Sequence, residues 1–136
     1  MSDRTCLFVD DEPAIRTFLW AILDQRQFHI LEADSAPHAM KIIQTLCGRV
    51  DLIVSDIRMR GDMNGLDLAH SVRNAFPGIP VILISGYYDE DPDDIEGFEF
   101  ISKPFAPEAI LNAVDRALDS RPRQMHRTGD RRQGRP

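Results

Sequence analysis

Thr5-Cys6-Leu7-Phe8-Val9-Asp10-Asp11-Glu12-Pro13 is a short apolar run followed at once by three acids and a proline. The run is too short for a helix and is rich in strand-favouring side chains, so it reads as a buried strand. Glu12-Pro13 then opens a helix, because a proline in the first turn gives up no hydrogen bond. Ile15, Phe18, Leu19, Ile22 and Leu23 follow at helical spacing and form its inner face. The stretch is one strand-helix unit with carboxylates at its corner.

Working outward, the same unit recurs. Phe28 to Leu31 reads as a second strand, and Ser35 as the N-cap of a helix that runs to about Leu46 and ends near Gly48. Leu52-Ile53-Val54 is a third strand leading straight into Ser55-Asp56. A loop with Gly61, Asn64 and Gly65 precedes a helix that turns Leu68, Ala69, Val72 and Phe76 inward and closes at Pro77-Gly78. Val81 to Ile84 is a fourth strand ending at Ser85-Gly86. Phe98 and Phe100 alternate with Glu99 as in a half-exposed edge strand, and Pro107 starts a last helix with Ile110, Leu111, Val114 and Leu118 inward. Short connections and right-handed crossovers make this a single doubly wound α/β domain, a five-stranded parallel sheet with helices on both faces. In such sheets ligands bind at the strand ends. Asp10, Asp11, Asp56, Ser85 and Lys103 all fall there.

Composition narrows the class. The chain has 136 residues, enough for one continuous core. No apolar stretch approaches the roughly 20 residues of a membrane span, and the N-terminus lacks a basic-then-apolar signal, so a cytoplasmic protein is expected. Residues 1–120 carry 10 Lys+Arg against 21 Asp+Glu, which argues against nucleic-acid binding by the folded part. Residues 121–136 carry six arginines and one aspartate with almost no apolar side chains, and read as a basic, disordered tail. Cys6 and Cys47 show no metal or disulfide framework and read as reduced core residues. His29, His38, His70 and His126 have no ligand spacing and receive no role.

Four motifs in order, Phe8-Val9-Asp10-Asp11-Glu12-Pro13, Ile53-Val54-Ser55-Asp56-Ile57-Arg58-Met59, Val81-Ile82-Leu83-Ile84-Ser85-Gly86 and Ile101-Ser102-Lys103-Pro104-Phe105, resemble the receiver domain of two-component response regulators. The resemblance spans residues 4 to about 119. It implies a flavodoxin-like strand order 2-1-3-4-5 and a role in phosphorelay signal transduction. Asp56 would accept a phosphoryl group from a histidine kinase or histidine phosphotransfer protein. The chemistry agrees: a carboxylate can form an acyl phosphate, and phosphoryl transfer needs mainly charge neutralisation and in-line placement. Asp10 or Asp11 with Asp56 can hold Mg²⁺, and the resemblance adds the Arg58 carbonyl as a ligand. Lys103 would pair with Asp56 and then with a phosphoryl oxygen. Ser85 would donate its hydroxyl, with Gly86 leaving room beside it, and Phe100 would turn inward as that hydroxyl moves. Lys103-Pro104 would be cis. Arg58 and Tyr87 would tune hydrolysis of the acyl phosphate. The protein is then a phosphoacceptor rather than an enzyme. The expectation is a stand-alone receiver, residues 1–120, acting on a further protein or passing the group on.

Singly, each residue has a plainer reading. Asp11 and Glu12 complement the positive end of a helix, Asp56 is a strand-end cap, Ser85-Gly86 a turn, Lys103 a solvated cation and Phe100 an edge aromatic. Only their convergence at one sheet edge makes a site. A haloacid-dehalogenase-type phosphatase would carry a second acid where Arg58 stands, and a flavodoxin-like cofactor binder would not have an acidic first loop. The nearest alternative is a degenerate receiver that binds partners without phosphorylation. Arg60 replaces the usual proline after Met59, and the loop to Gly65 is one residue longer than is commonest. Asp89-Glu90-Asp91-Pro92-Asp93-Asp94 is too acidic and too interrupted by Pro92 for a full helix, so the fourth helix is expected to be one turn or a loop, and mobile.

Overall fold

The computed structural model describes residues 4–86 and 92–120. Five strands, β1 (Thr5–Val9), β2 (His29–Ala33), β3 (Leu52–Asp56), β4 (Val81–Ser85) and β5 (Glu99–Ser102), form one parallel sheet in the order β2-β1-β3-β4-β5. The helices are α1 (Pro13–Leu23), α2 (Ala36–Thr45), α3 (Gly65–Ala75), α4 (Pro92–Ile95) and α5 (Pro107–Ser120), with a 3-10 turn at Asp24–Arg26. The doubly wound sheet and the shortened fourth helix are as the sequence implies. Residues 121–136, Tyr87 and the acidic stretch from Asp89 to Asp91 lie outside the described residues.

Side-chain alternation divides the core into two layers. Cys6, Phe8, Leu52, Val54, Ile82, Ile84 and Ile101 pack on one face against α1 and α5. Leu7, Val9, Ile53, Val81 and Leu83 pack on the other against α2 and α3. β3 and β4 are buried at every position, as expected of central parallel strands. Helix starts follow local chemistry. The Ser35 hydroxyl accepts the His38 N–H at 3.2 Å, Pro13 sits in the first turn of α1, and Asn64 and Asp67 bond reciprocally in a capping box that opens α3. α2 ends through two left-handed residues, Cys47 (φ 56°) and Gly48 (φ 77°).

Several expectations need correction. β2 runs two residues further than Leu31, to Ala33. Phe98 stands just before β5 rather than in it. Phe18 is 42% exposed, and its ring meets Phe105 at 5.9 Å instead of entering the core. Cys47 is exposed because the left-handed turn carries it off the helix. Cys6 is buried as expected, and burial pushes its thiol well above the usual range. Pro92 opens α4 rather than interrupting it. Among the described residues no helix is long and apolar enough to cross a membrane.

Candidate functional site at the strand ends

Parallel register sets the site. Val9 pairs with Ser55, Asp56 with Ile84, and Ser85 with Ser102, so the C-terminal ends of β1, β3, β4 and β5 finish at one edge. Asp10 follows β1, Asp56 and Ser85 end their strands, and Lys103 follows β5. The sheet thus brings together groups that lie far apart in sequence.

Asp56 is only 7% exposed. Its Oδ2 stands 3.5 Å from the Lys103 ammonium, a loose ion pair, and its Oδ1 is buried without a hydrogen-bond partner. Burial raises its pKa above the usual 3.8, the Lys103 charge and hydrogen bond and the Arg58 backbone N–H pull it down, and Asp11 pushes it up. Asp10 is 2% exposed. Its Oδ1 accepts the Glu12 N–H at 2.9 Å, and its carbonyl accepts from Arg16 Nη1 at 2.6 Å. Burial above all pushes the Asp10 carboxyl up to about 6. The Glu12 N–H and Lys103 oppose the rise, and Asp56 and Asp11 add to it.

Asp11 faces the β3–α3 loop, where its Oδ2 accepts the Arg60 N–H at 3.1 Å and lies 3.6 Å from Arg60 Nε. Arg60 thus supplies a backbone donor to Asp11 that a proline at this position would lack. Arg58 is exposed at the start of the same loop. Ser85 is fully buried, and its carbonyl accepts the Lys103 N–H at 2.9 Å, which ties the lysine loop to the end of β4. The Lys103-Pro104 bond is cis. A Cβ on Gly86 would meet the Lys103 stem at 3.6 Å, an ordinary contact, so the space beside Ser85 does not demand glycine. Phe100 is half-buried on the α2–α3 face, opposite Leu83.

Sequence reasoning passed over Gly65, treating it as loop. A Cβ there would collide with the Asp56 carbonyl oxygen and the Ile57 backbone, so only glycine lets α3 start against the end of β3. The signal was present: Asn64 followed three residues later by Asp67 marks a helix start. The Arg16 bond to the Asp10 carbonyl left no such trace, because a side chain reaching a backbone oxygen has no period.

Magnesium needs one or two carboxylates and keeps several waters. The residues fit that demand: Asp56 offers a buried acceptor with no donor, and Asp10 and Asp11 add negative charge beside it. Among the described residues no three acidic, His or Cys side chains group closely enough to cage an ion. The fit is therefore to one or two carboxylates with water completing the shell.

Residues 6–115 match the response regulator receiver domain family. The chain is similar to the transcriptional regulatory protein GlrR of Escherichia coli K12, 30% identical over 83% of this chain and 26% of that protein. The sensor kinase CckA of Brucella abortus is 34% identical over 85% of this chain and 12% of that protein. The chain thus spans about a quarter or less of these relatives. The response regulator TrrA of Thermotoga maritima, solved in complex with Mg(2+)-BeF, superposes with a TM-score of 0.75 at 29% identity, covering 85% of this chain and 99% of that one.

Proposed function

The chain belongs to the response regulator receiver domain family, and on that premise we propose that Asp56 accepts a phosphoryl group from a histidine kinase or a histidine phosphotransfer protein. As a bond forms from an Asp56 carboxylate oxygen to phosphorus, the bond from phosphorus to the donor's imidazole nitrogen breaks. That nitrogen then takes a proton. The observation that carries this reading is the Asp56 carboxylate itself, with one oxygen on Lys103 and the other buried without a donor. Such a group is costly unless it meets an electrophile or a cation.

Each neighbour has a part. Lys103 neutralises the carboxylate before transfer and moves to a phosphoryl oxygen after it. The Ser85 hydroxyl donates to a second phosphoryl oxygen, and Phe100 responds to that movement from its half-buried position. Asp56 with Asp10 or Asp11 and the Arg58 carbonyl would hold Mg²⁺, which would supply positive charge against the phosphoryl group. The lifetime of the acyl phosphate is set partly by Arg58 and by Tyr87, which lies outside the described residues. The protein is the substrate of its kinase and answers by presenting an altered surface to a downstream protein.

Incubation with a small phosphodonor and Mg²⁺, followed by intact mass, tests the reading. The native chain is expected to gain one phosphoryl group, and Asp56→Asn none. Decay of the adduct is expected to change when Arg58 and Tyr87 are both made small and neutral. A native chain that gains no mass is instead a degenerate receiver acting by binding alone.

A further inference from the structure

α4 is a single turn, too short to satisfy its own carbonyls. Three successive carbonyls at its end nonetheless each have a donor. The Asp94 carbonyl accepts from His70 Nε2 at 2.9 Å, the Ile95 carbonyl from the Phe98 N–H at 3.1 Å, and the Glu96 carbonyl from Arg73 Nη2 at 2.6 Å. Two of the three donors are side chains of α3. The same two side chains hold the Phe98 ring: the Arg73 guanidinium lies 3.9 Å above its centroid and His70 meets it edge-on at 5.4 Å. Gly97, at φ 90°, lets the chain turn beneath the guanidinium.

We propose that His70 and Arg73 form a clamp that holds the turn between α4 and β5, and that this turn is a two-position element released when the state of Asp56 changes. α3 links the clamp to the site directly. Its first residue, Gly65, abuts the Asp56 carbonyl, and Arg73 lies eight residues on, about 12 Å along the helix axis. Beyond the clamp, Phe98 leads within two residues to Phe100 and then to Lys103. A small shift of α3 therefore acts on side-chain-to-carbonyl bonds that are either made or broken, and β5 is freed or fixed accordingly. Polar bonds at a half-exposed surface open more readily than a packed apolar face, which suits a switching element.

Release on phosphorylation rests on the phosphoacceptor reading, but the clamp itself does not. Amide hydrogen exchange by mass spectrometry on the full chain separates them. Without phosphodonor, Arg73→Ala is expected to speed exchange at residues 97–100 by about tenfold or more, the loss of a charge-assisted bond, with β1 and β3 unchanged. Arg73→Lys, which keeps the charge without the planar fork, is expected to fall between. With phosphodonor, native protein shown by intact mass to be phosphorylated is expected to exchange faster at residues 97–100, and Arg73→Ala to show no further gain. Unchanged exchange in Arg73→Ala would overturn the clamp. Unchanged exchange in phosphorylated native protein would overturn its release. Failure of the native chain to take the phosphoryl group would overturn the phosphoacceptor reading alone.

Discussion

Asp10 shows what the site costs in the absence of a cation. It is buried beside Asp56, and its carboxyl is pushed up to about 6 from the ordinary 3.8. The folded protein therefore holds that proton more tightly than the unfolded chain does. The stabilisation is complete below the ordinary carboxylate value and is lost as pH rises through about 6. Metal-free protein is expected to lose urea stability between about pH 3 and about pH 7, by up to about 3 kcal/mol from this residue. Asp10→Asn should flatten that slope and stabilise the metal-free protein at the upper end, while weakening magnesium binding measured by calorimetry. An Asp10→Asn protein with the native pH slope would show that the acid is not destabilised by its surroundings.

α3 carries more of the function than its plain amphipathic pattern suggests. Leu68, Ala69 and Val72 anchor it in the core, its first residue abuts the Asp56 backbone, and His70 and Arg73 contact the turn that precedes β5. Gly65→Ala is expected to force the helix back from β3, lowering stability by about 2 kcal/mol and slowing phosphoryl uptake. Asn64→Ala, which removes only the cap, should cost about 1 kcal/mol and leave uptake near native. Equal uptake by the two variants, followed by intact mass, would refute a positioning role for Gly65. The strands and the inner helix faces were legible in the sequence because apolar runs of set length end in polar residues, and because helical spacing repeats. The shortness of α4 was legible too, from a run of acids with no apolar face, although Pro92 opens the turn rather than breaking it. What holds α4 was not: His70 and Arg73 reach carbonyls more than twenty positions away, and no periodicity records such contacts. Phe18 misled for a related reason, since Leu19 and Ile22 already fill the core side and the ring packs on Phe105 instead.

Across the whole molecule the two apolar layers and the site are separable. The layers hold the sheet whatever occupies its edge, whereas the edge gathers carboxylates in a body that already carries 21 acids against 10 basic residues in positions 1–120. Self-repulsion of that kind is relieved in two ways. Any salt screens the surface charges, but only an ion bound at the strand ends compensates the buried Asp56 oxygen and the charge of Asp10. Specific binding to the folded state stabilises by mass action, about 2.7 kcal/mol at a hundredfold excess over Kd. For a domain of this size that is a rise in melting temperature on the order of 10 °C. Magnesium chloride should therefore raise the Tm well beyond sodium chloride at matched ionic strength, and the excess should vanish in the Asp10→Asn, Asp56→Asn double variant while the screening part persists. Equal shifts from the two salts in the native protein would mean that the acidic edge is only a charged surface, and that its carboxylates do not act together on one ion.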